Sequence, residues 1–487
     1  NNHFKESKSL STNKKQNKSE IINDILLFTF KKNINILQTI IDLKKTNFFE
    51  YVEPDFIGFG SGKKSTKNIE TSPTDPLFSR QWGLVNDGTF SLSPSTTDAD
   101  VDLDLAWDIT TGNPNLTLAV LDSGIRMTHP EFSGRIWVNS SETSSGSDTD
   151  NNNYIDDING WDFANNDNNP TDDHGHGTNV AGIAVATGNN SIGYAGVDWE
   201  CKLMPLKILD NNNSGFYSWW IGAINYAVNN GAKVINMSVG GSGFSQAMKD
   251  AVDNAHLNGV VIVACMMNFN NNTPYYPAAY ANTIAVGSTN PDDTRTNPFF
   301  WSSTSGSNFG NHIDVIAPGN YIYGLSHSSD TDYNTYWGGT SQASPLVAGI
   351  CSLILDQNPN LTVEEIRTVL KESAEDQVGS ALEDTVGWDQ YYGAGRVNAF
   401  NTLQKVLNID SFNIAKLPIY PNPTSGIINL SSKLNDNEYL VFDTLGKEIF
   451  KGKIKNSSIN LLRLKAGIYT LKIKTNKTYI TKKIIKI

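Results

Sequence analysis

Four short stretches of this chain are apolar almost throughout: Leu116 to Leu121, Val234 to Met237, Val260 to Ala264 and Thr283 to Val286. A strand with one wet face alternates polar and apolar residues, so a run of strand length that does not alternate is buried on both faces. Between these runs, residues 217–230 and 245–258 carry apolar side chains at helical spacing. Buried strands separated by helices predict an α/β fold over residues 77–407. Its central sheet is mainly parallel and is covered by helices on both faces.

The flanks follow other patterns. Residues 1–57 alternate Lys-rich stretches with apolar runs such as Ile25-Leu26-Leu27-Phe28, which predicts a small α/β unit. Residues 58–76 are Gly, Ser, Lys and Thr with few hydrophobes, an exposed linker of the kind that proteases cut. After a short connector at 408–415, the period becomes two, in Ile427 to Leu430, Tyr439 to Phe442, Ile468 to Ile473 and Tyr479 to Ile485. Residues 416–487 therefore read as a small all-β sandwich.

Charge divides the same way. The net −12 separates into +4 over residues 1–70, −26 over 71–410 and +10 over 411–487. An acidic centre repels phosphates and excludes nucleic acid as the partner of the main domain. The basic tail suits a sheet with Lys on its wet face, or a surface for acidic partners. No stretch approaches the roughly 20 apolar residues of a membrane-spanning helix. Cys201, Cys265 and Cys351 each sit in an apolar run, as buried free thiols do.

Three segments carry chemistry. Ala119-Val120-Leu121-Asp122-Ser123-Gly124 ends a strand in a carboxylate, at the sheet edge where α/β proteins bind ligands. Asp172-Asp173-His174-Gly175-His176-Gly177-Thr178 places two imidazoles where a polar loop becomes a small-residue helix. Gly338-Gly339-Thr340-Ser341-Gln342-Ala343-Ser344-Pro345 sets a hydroxyl at the start of an apolar helix, with Pro345 expected in its first turn. The free N–H groups there can hold an oxyanion. Asp, His and Ser in that chain order suggest a nucleophilic triad.

Residues 80–400 resemble the subtilases, the subtilisin-like serine endopeptidases. The likeness rests on Val120-Leu121-Asp122-Ser123-Gly124, His176-Gly177-Thr178-Asn179-Val180-Ala181-Gly182 and Gly339-Thr340-Ser341-Gln342-Ala343-Ser344-Pro345. It implies Ser341 as nucleophile, His176 as its base and Asp122 as the carboxylate that orients the imidazole. Gly259 to Asn268 is similar to the family segment that ends in the oxyanion-hole asparagine, which makes Asn268 the second oxyanion donor. Here the sequence departs from the family, with Met267 where glycine is usual, and the bulk of Met266-Met267 is expected to reshape the specificity pocket or shift Asn268. Asn236 to Gly241 is similar to the strand that pairs with substrate, so Ser238, Val239 and Gly240 are expected to hold a protein or peptide substrate.

In the loop before His176, Asp148, Asp150, Asn152, Tyr154 (through its carbonyl) and Asp157 offer hard oxygens at alternating positions. These suit Ca²⁺, as does the family's habit of binding calcium in this loop; a solvated acidic loop is the rival. Residues 1–57 resemble a subtilase propeptide, ending in Val52-Glu53-Pro54-Asp55, and would inhibit their own enzyme in a zymogen. Residues 417–487 resemble the sorting domain of type IX secretion, on Tyr420-Pro421-Asn422-Pro423, Asp443-Thr444-Leu445-Gly446-Lys447 and Leu464-Lys465-Ala466-Gly467-Ile468-Tyr469. That likeness implies the type IX machinery as a partner and a secreted or cell-surface protein of a Gram-negative bacterium. The alternatives are a pseudoprotease or binding protein with a closed specificity pocket, and a surface adhesin carried by the β-module.

Overall fold

The computed structural model describes residues 4–9, 26–30, 35–46, 48, 52, 71–416, 419–430, 434–443, 447–474 and 479–487. Glu53-Pro54-Asp55, linker residues 58–70 and Thr444-Leu445-Gly446 lie outside them. The chain forms two units, 1–68 and 69–487. In the first, β1 (Phe4–Ser9) pairs antiparallel with β2 (Leu26–Phe30), and α1 (Ile36–Lys44) starts at Asn35, whose side chain accepts from Gln38 N.

The second unit is built on seven strands: β3 (Thr117–Asp122), β4 (Trp161–Asp162), β5 (Lys202–Lys207), β6 (Val234–Met237), β7 (Val261–Cys265), β8 (Ile284–Thr289) and β9 (Val315–Pro318). They lie in the order β4-β5-β3-β6-β7-β8-β9, and every neighbouring pair is parallel. The chain leaves β3 toward one edge and returns to extend the other, so β3 sits at the switch point where such sheets open a crevice.

Both faces are covered, and β3 shows why its sequence is apolar throughout. Leu118 and Val120 join one core, with α3 (His176–Val185), α6 (Thr340–Gln357), α7 (Val363–Ser373) and α8 (Ala399–Lys416). Ala119 and Leu121 join the other, with α4 (Tyr217–Asn229) and α5 (Gln246–Leu257). A short α2 (Leu103–Trp107) packs into the first core. The three cysteines are buried and free.

Two details differ from the sequence reading. The connector residues 408–415 are helical: α8 runs through them to Lys416, because neither Gly nor Pro interrupts the chain before Pro418. Pro345 is the sixth residue of α6 rather than part of its first turn, since the helix begins at Thr340. Its missing N–H leaves the Ser341 carbonyl without its helical donor, and the Ser238 hydroxyl supplies one at 2.8 Å.

A small ribbon, β10 (Ile322–Tyr323) with β11 (Tyr336–Trp337), leads into α6. The C-terminal module pairs β12 (Ile427–Asn429) with β15 (Ser458–Asn460). It adds an antiparallel sheet β14-β13-β16-β17 from Glu448–Lys453, Glu438–Phe442, Gly467–Lys474 and Tyr479–Lys486. Ile428, Val441, Ile459 and Leu471 share its core. Strand β14 escapes the period-two reading because it is a mostly exposed edge of Glu and Lys with little apolar alternation. Among the described residues, no helix is long and apolar enough to cross a membrane.

Candidate active site

Asp122 ends β3 with its carboxylate fully buried. Oδ1 accepts from Ser123 N at 2.7 Å and from His176 Nδ1 at 2.7 Å. His176 is the first residue of α3, and that helix reaches the end of β3 only because residue 177 is glycine. A Cβ on Gly177 would stand 2.1 Å from the Gly124 carbonyl oxygen.

The loop is held by a residue to which the sequence reading gave no role. Asp172 accepts from His174 N, Gly175 N and Thr178 N at 2.8–3.0 Å. It also accepts from the Ser123 hydroxyl at 2.8 Å, while Ser123 Oγ accepts from Gly177 N at 2.9 Å. A carboxylate that collects the orphan N–H groups of a helix start fixes where that start lies. The signal was present: an Asp just ahead of a helix start. Trp337 lies edge-on to the His176 ring, centroids 5.6 Å apart.

Burial disfavours the imidazolium of His176, but the Asp122 charge and hydrogen bond outweigh it and hold the His176 pKa above its ordinary 6.5. The other ring of the pair, His174, is shifted down by burial and makes no bond to Asp122.

Ser341 is the second residue of α6 and is 7% exposed. Gln342 Nε2 donates to Asn179 Oδ1 at 3.1 Å, clamping the start of α6 to the first turn of α3. In this resting arrangement the Ser341 hydroxyl donates to the Ser238 carbonyl at 3.2 Å rather than to His176, and lies 3.9 Å from Cys265 Sγ. Burial pushes the Cys265 thiol up, so it is not a competing thiolate.

Asn268 Oδ1 accepts from Thr340 N at 2.8 Å and from the Thr340 hydroxyl at 3.0 Å. This fixes the amide, and Nδ2 faces the Gly339–Ser341 turn, 3.1 Å from where a Gly339 Cβ would stand. The amide that follows Met267 thus lies against the start of α6. Ser238, Val239 and Gly240 continue from β6. The Ser238 side chain is structural: its hydroxyl bonds the Ser341 carbonyl and pairs with Ser344 Oγ at 3.0 Å. Val239 is buried, and no backbone–backbone hydrogen bond is made by Val239 or Gly240 among the described residues.

In the acidic loop, oxygens of Glu142, Asp150 and Asp157 lie within 4.8 Å of one another. Glu142 is 6% exposed and Asp157 is fully buried. Asp157 also accepts from Tyr226 OH at 2.5 Å, and Asn139 Nδ2 donates to both Asp150 and Asp157. Asn152 Nδ2 donates to the same two carboxylates. Asp148 instead accepts from the backbone of Asn152 and Asn153, which shapes the turn. The Tyr154 ring packs against Trp161 and Tyr226. Glu142 lies outside the alternating run, which is why spacing alone did not find it.

The subtilase family model matches residues 113–395. The chain belongs to the subtilase family. A secretion system C-terminal sorting domain model matches residues 418–487. Thermitase from Thermoactinomyces vulgaris is 34% identical over 68% of this subtilase and 99% of its own length. The thermophilic serine proteinase of Bacillus sp. (strain AK1) is 32% identical over 77% and 78%, and subtilisin E of Bacillus subtilis (strain 168) 36% identical over 58% and 64%. Among solved structures, proteases from Pseudoalteromonas arctica PAMC 21717 match with a TM-score of 0.53 and 26% identity, over 69% of this chain and 99% of theirs. This subtilase is a subtilisin-like serine endopeptidase, and its sorting domain implies secretion or display at the cell surface.

Proposed function

We propose that this subtilase hydrolyses internal peptide bonds through an acyl-enzyme on Ser341. The observation that carries this reading is the buried 2.7 Å pair of Asp122 and His176, at the sheet edge where α6 begins. A peptide lies along the backbone from Ser238 to Gly240, where Val239 and Gly240 make no backbone–backbone hydrogen bond among the described residues. Rotation about its side-chain bond moves the Ser341 hydroxyl from the Ser238 carbonyl to His176, which takes its proton as Oγ attacks the carbonyl carbon. The new oxyanion receives Asn268 Nδ2 and the Ser341 N–H, and Asp122 stabilises the imidazolium without accepting its proton. His176 then protonates the departing amine, and water releases the acyl group by the reverse steps.

Supporting this, a fluorophosphonate is expected to label the processed enzyme once per chain, at Ser341, by intact-mass and peptide mapping. An unlabelled, folded enzyme would leave only a binding scaffold. The flanks complete the reading. Residues 1–57 act as inhibitory propeptide, 58–76 as the processed linker, 77–407 as the enzyme, and 416–487 as the signal read by the type IX machinery.

Calcium belongs to the same reading. Carboxylates of Glu142, Asp150 and Asp157 are hard donors close enough to share one ion, and they fit Ca²⁺, which would brace the loop ahead of His176. At calcium about 100-fold above its Kd the native state gains about 2.7 kcal/mol, and a chelator is expected to lower Tm by roughly 3–5 °C. In Asp157→Asn that calcium-dependent increment should vanish. Scanning calorimetry with and without chelator reads both, and an unchanged Tm in the native enzyme would remove calcium from the account.

A further inference from the structure

The acylation proposed above fixes where the substrate's acyl residue must point its side chain. Its carbonyl oxygen faces Asn268 Nδ2 and its backbone lies along Ser238 to Gly240. The side chain therefore leaves between that segment and residues 265–268, where the chain runs on from the end of β7.

The two methionines of this region do different things. Met266 is fully buried in the core beside α4 and α5. Met267 is half-buried and turned the other way, at φ +72°, a conformation that side chains rarely adopt. The backbone is held there by Asn308 N, which donates to the Met267 carbonyl at 2.9 Å, and Gly306 N, which donates to the Asn268 carbonyl at 3.1 Å.

This turn delivers the thioether to Gly240. A Cβ on Gly240 would lie 2.8 Å from Met267 Sδ, 2.9 Å from its Cγ and 3.5 Å from Tyr275 Cβ. On its other side Met267 Sδ is 3.7 Å from Cys265 Sγ. The side chain therefore spans the gap between the two segments, in the space the acyl residue needs.

We propose that Met267 sets the specificity of this enzyme at the acyl position. It fills the inner part of that subsite, so that Gly, Ala or Ser enters and aromatic or long side chains do not. The proposal rests on the Ser341 reading, and its test separates the two.

Enzyme concentration is fixed by fluorophosphonate titration, and kcat/KM is measured on two tetrapeptide anilides that differ only in Ala or Phe at the acyl residue. The native enzyme is expected to favour Ala by at least about 10-fold, the scale of discrimination by filled apolar volume. Met267→Gly and Met267→Ala should each raise the Phe-to-Ala ratio by about 50-fold or more. The Ala variant keeps a Cβ at the strained φ, so a gain in both assigns the effect to side-chain volume. A gain in the Gly variant alone would assign it to backbone relaxation and overturn the proposal. Native enzyme that titrates fully yet cleaves Phe as fast as Ala would overturn Met267 and leave Ser341 standing. Enzyme that does not titrate would remove the catalytic reading and this one with it.

Discussion

Ser341→Ala is expected to lower kcat on casein by about 10⁶-fold while the protein stays folded and still binds peptide. The size follows from the proposed triad acting as a unit: without the hydroxyl, His176 would have no proton to take and no acyl-enzyme could form. The fold should tolerate the change. The lost hydroxyl makes one 3.2 Å bond to the Ser238 carbonyl, worth about 1 kcal/mol, and alanine suits a helix. The bond that secures this turn, from Ser238 Oγ to the Ser341 carbonyl, involves backbone and survives. In the mechanism proposed here the peptide is held by the backbone of Val239 and Gly240, which the substitution leaves untouched. Casein hydrolysis, thermal denaturation and peptide calorimetry together decide it. Residual turnover above about 1% in a folded variant would place the nucleophile elsewhere. Cys265 is no candidate, since burial keeps its thiol protonated.

The fold was legible because burial on both faces writes itself into every residue of a strand. Val234 to Met237 read as a strand from sequence and is one, residue for residue. The meeting of α3 with the end of β3, which brings His176 to Asp122, was written in glycine as well as in the polar residues, since Gly177 is required there. What escaped was chemistry assembled across distance. Glu142 reaches Asp150 and Asp157 only when its turn folds back, and nothing in local spacing records that. Asp172 was in plain view, and its bonds to Gly175 and Thr178 are local, yet its contact with Ser123 depends on two segments meeting. Pro345 misled for a related reason: the first-turn rule assumes a helix start that the Gly338-Gly339 pair left ambiguous. The structure starts α6 at Thr340, and a hydroxyl from β6's end takes the place of the missing proline N–H.

Asp122→Asn carries the second large effect, a fall in kcat of about 10⁴-fold with little change in peptide affinity. The carboxylate is fully buried, and its Oδ1 accepts both the His176 Nδ1–H and the Ser123 N–H. An amide of the same shape offers a donor as well as an acceptor, so it can hold the imidazole with Nδ1 unprotonated and its proton on Nε2, where the hydroxyl must be received. The charge that stabilises the imidazolium is also gone. That loss has its own signature in pH. In the native enzyme the Asp122 charge raises the His176 pKa, so the imidazolium persists to higher pH and the active, neutral base appears only above it. The acid limb of kcat/KM is therefore expected at a midpoint above 6.5. In the Asn variant burial acts on the imidazole without that opposing charge, and the midpoint of the residual activity should move down. A pH profile of kcat/KM for both proteins, at matched titrated enzyme, makes the comparison. The same fall in rate with an unmoved acid limb would mean that Asp122 holds the loop in place but does not act on the His176 charge.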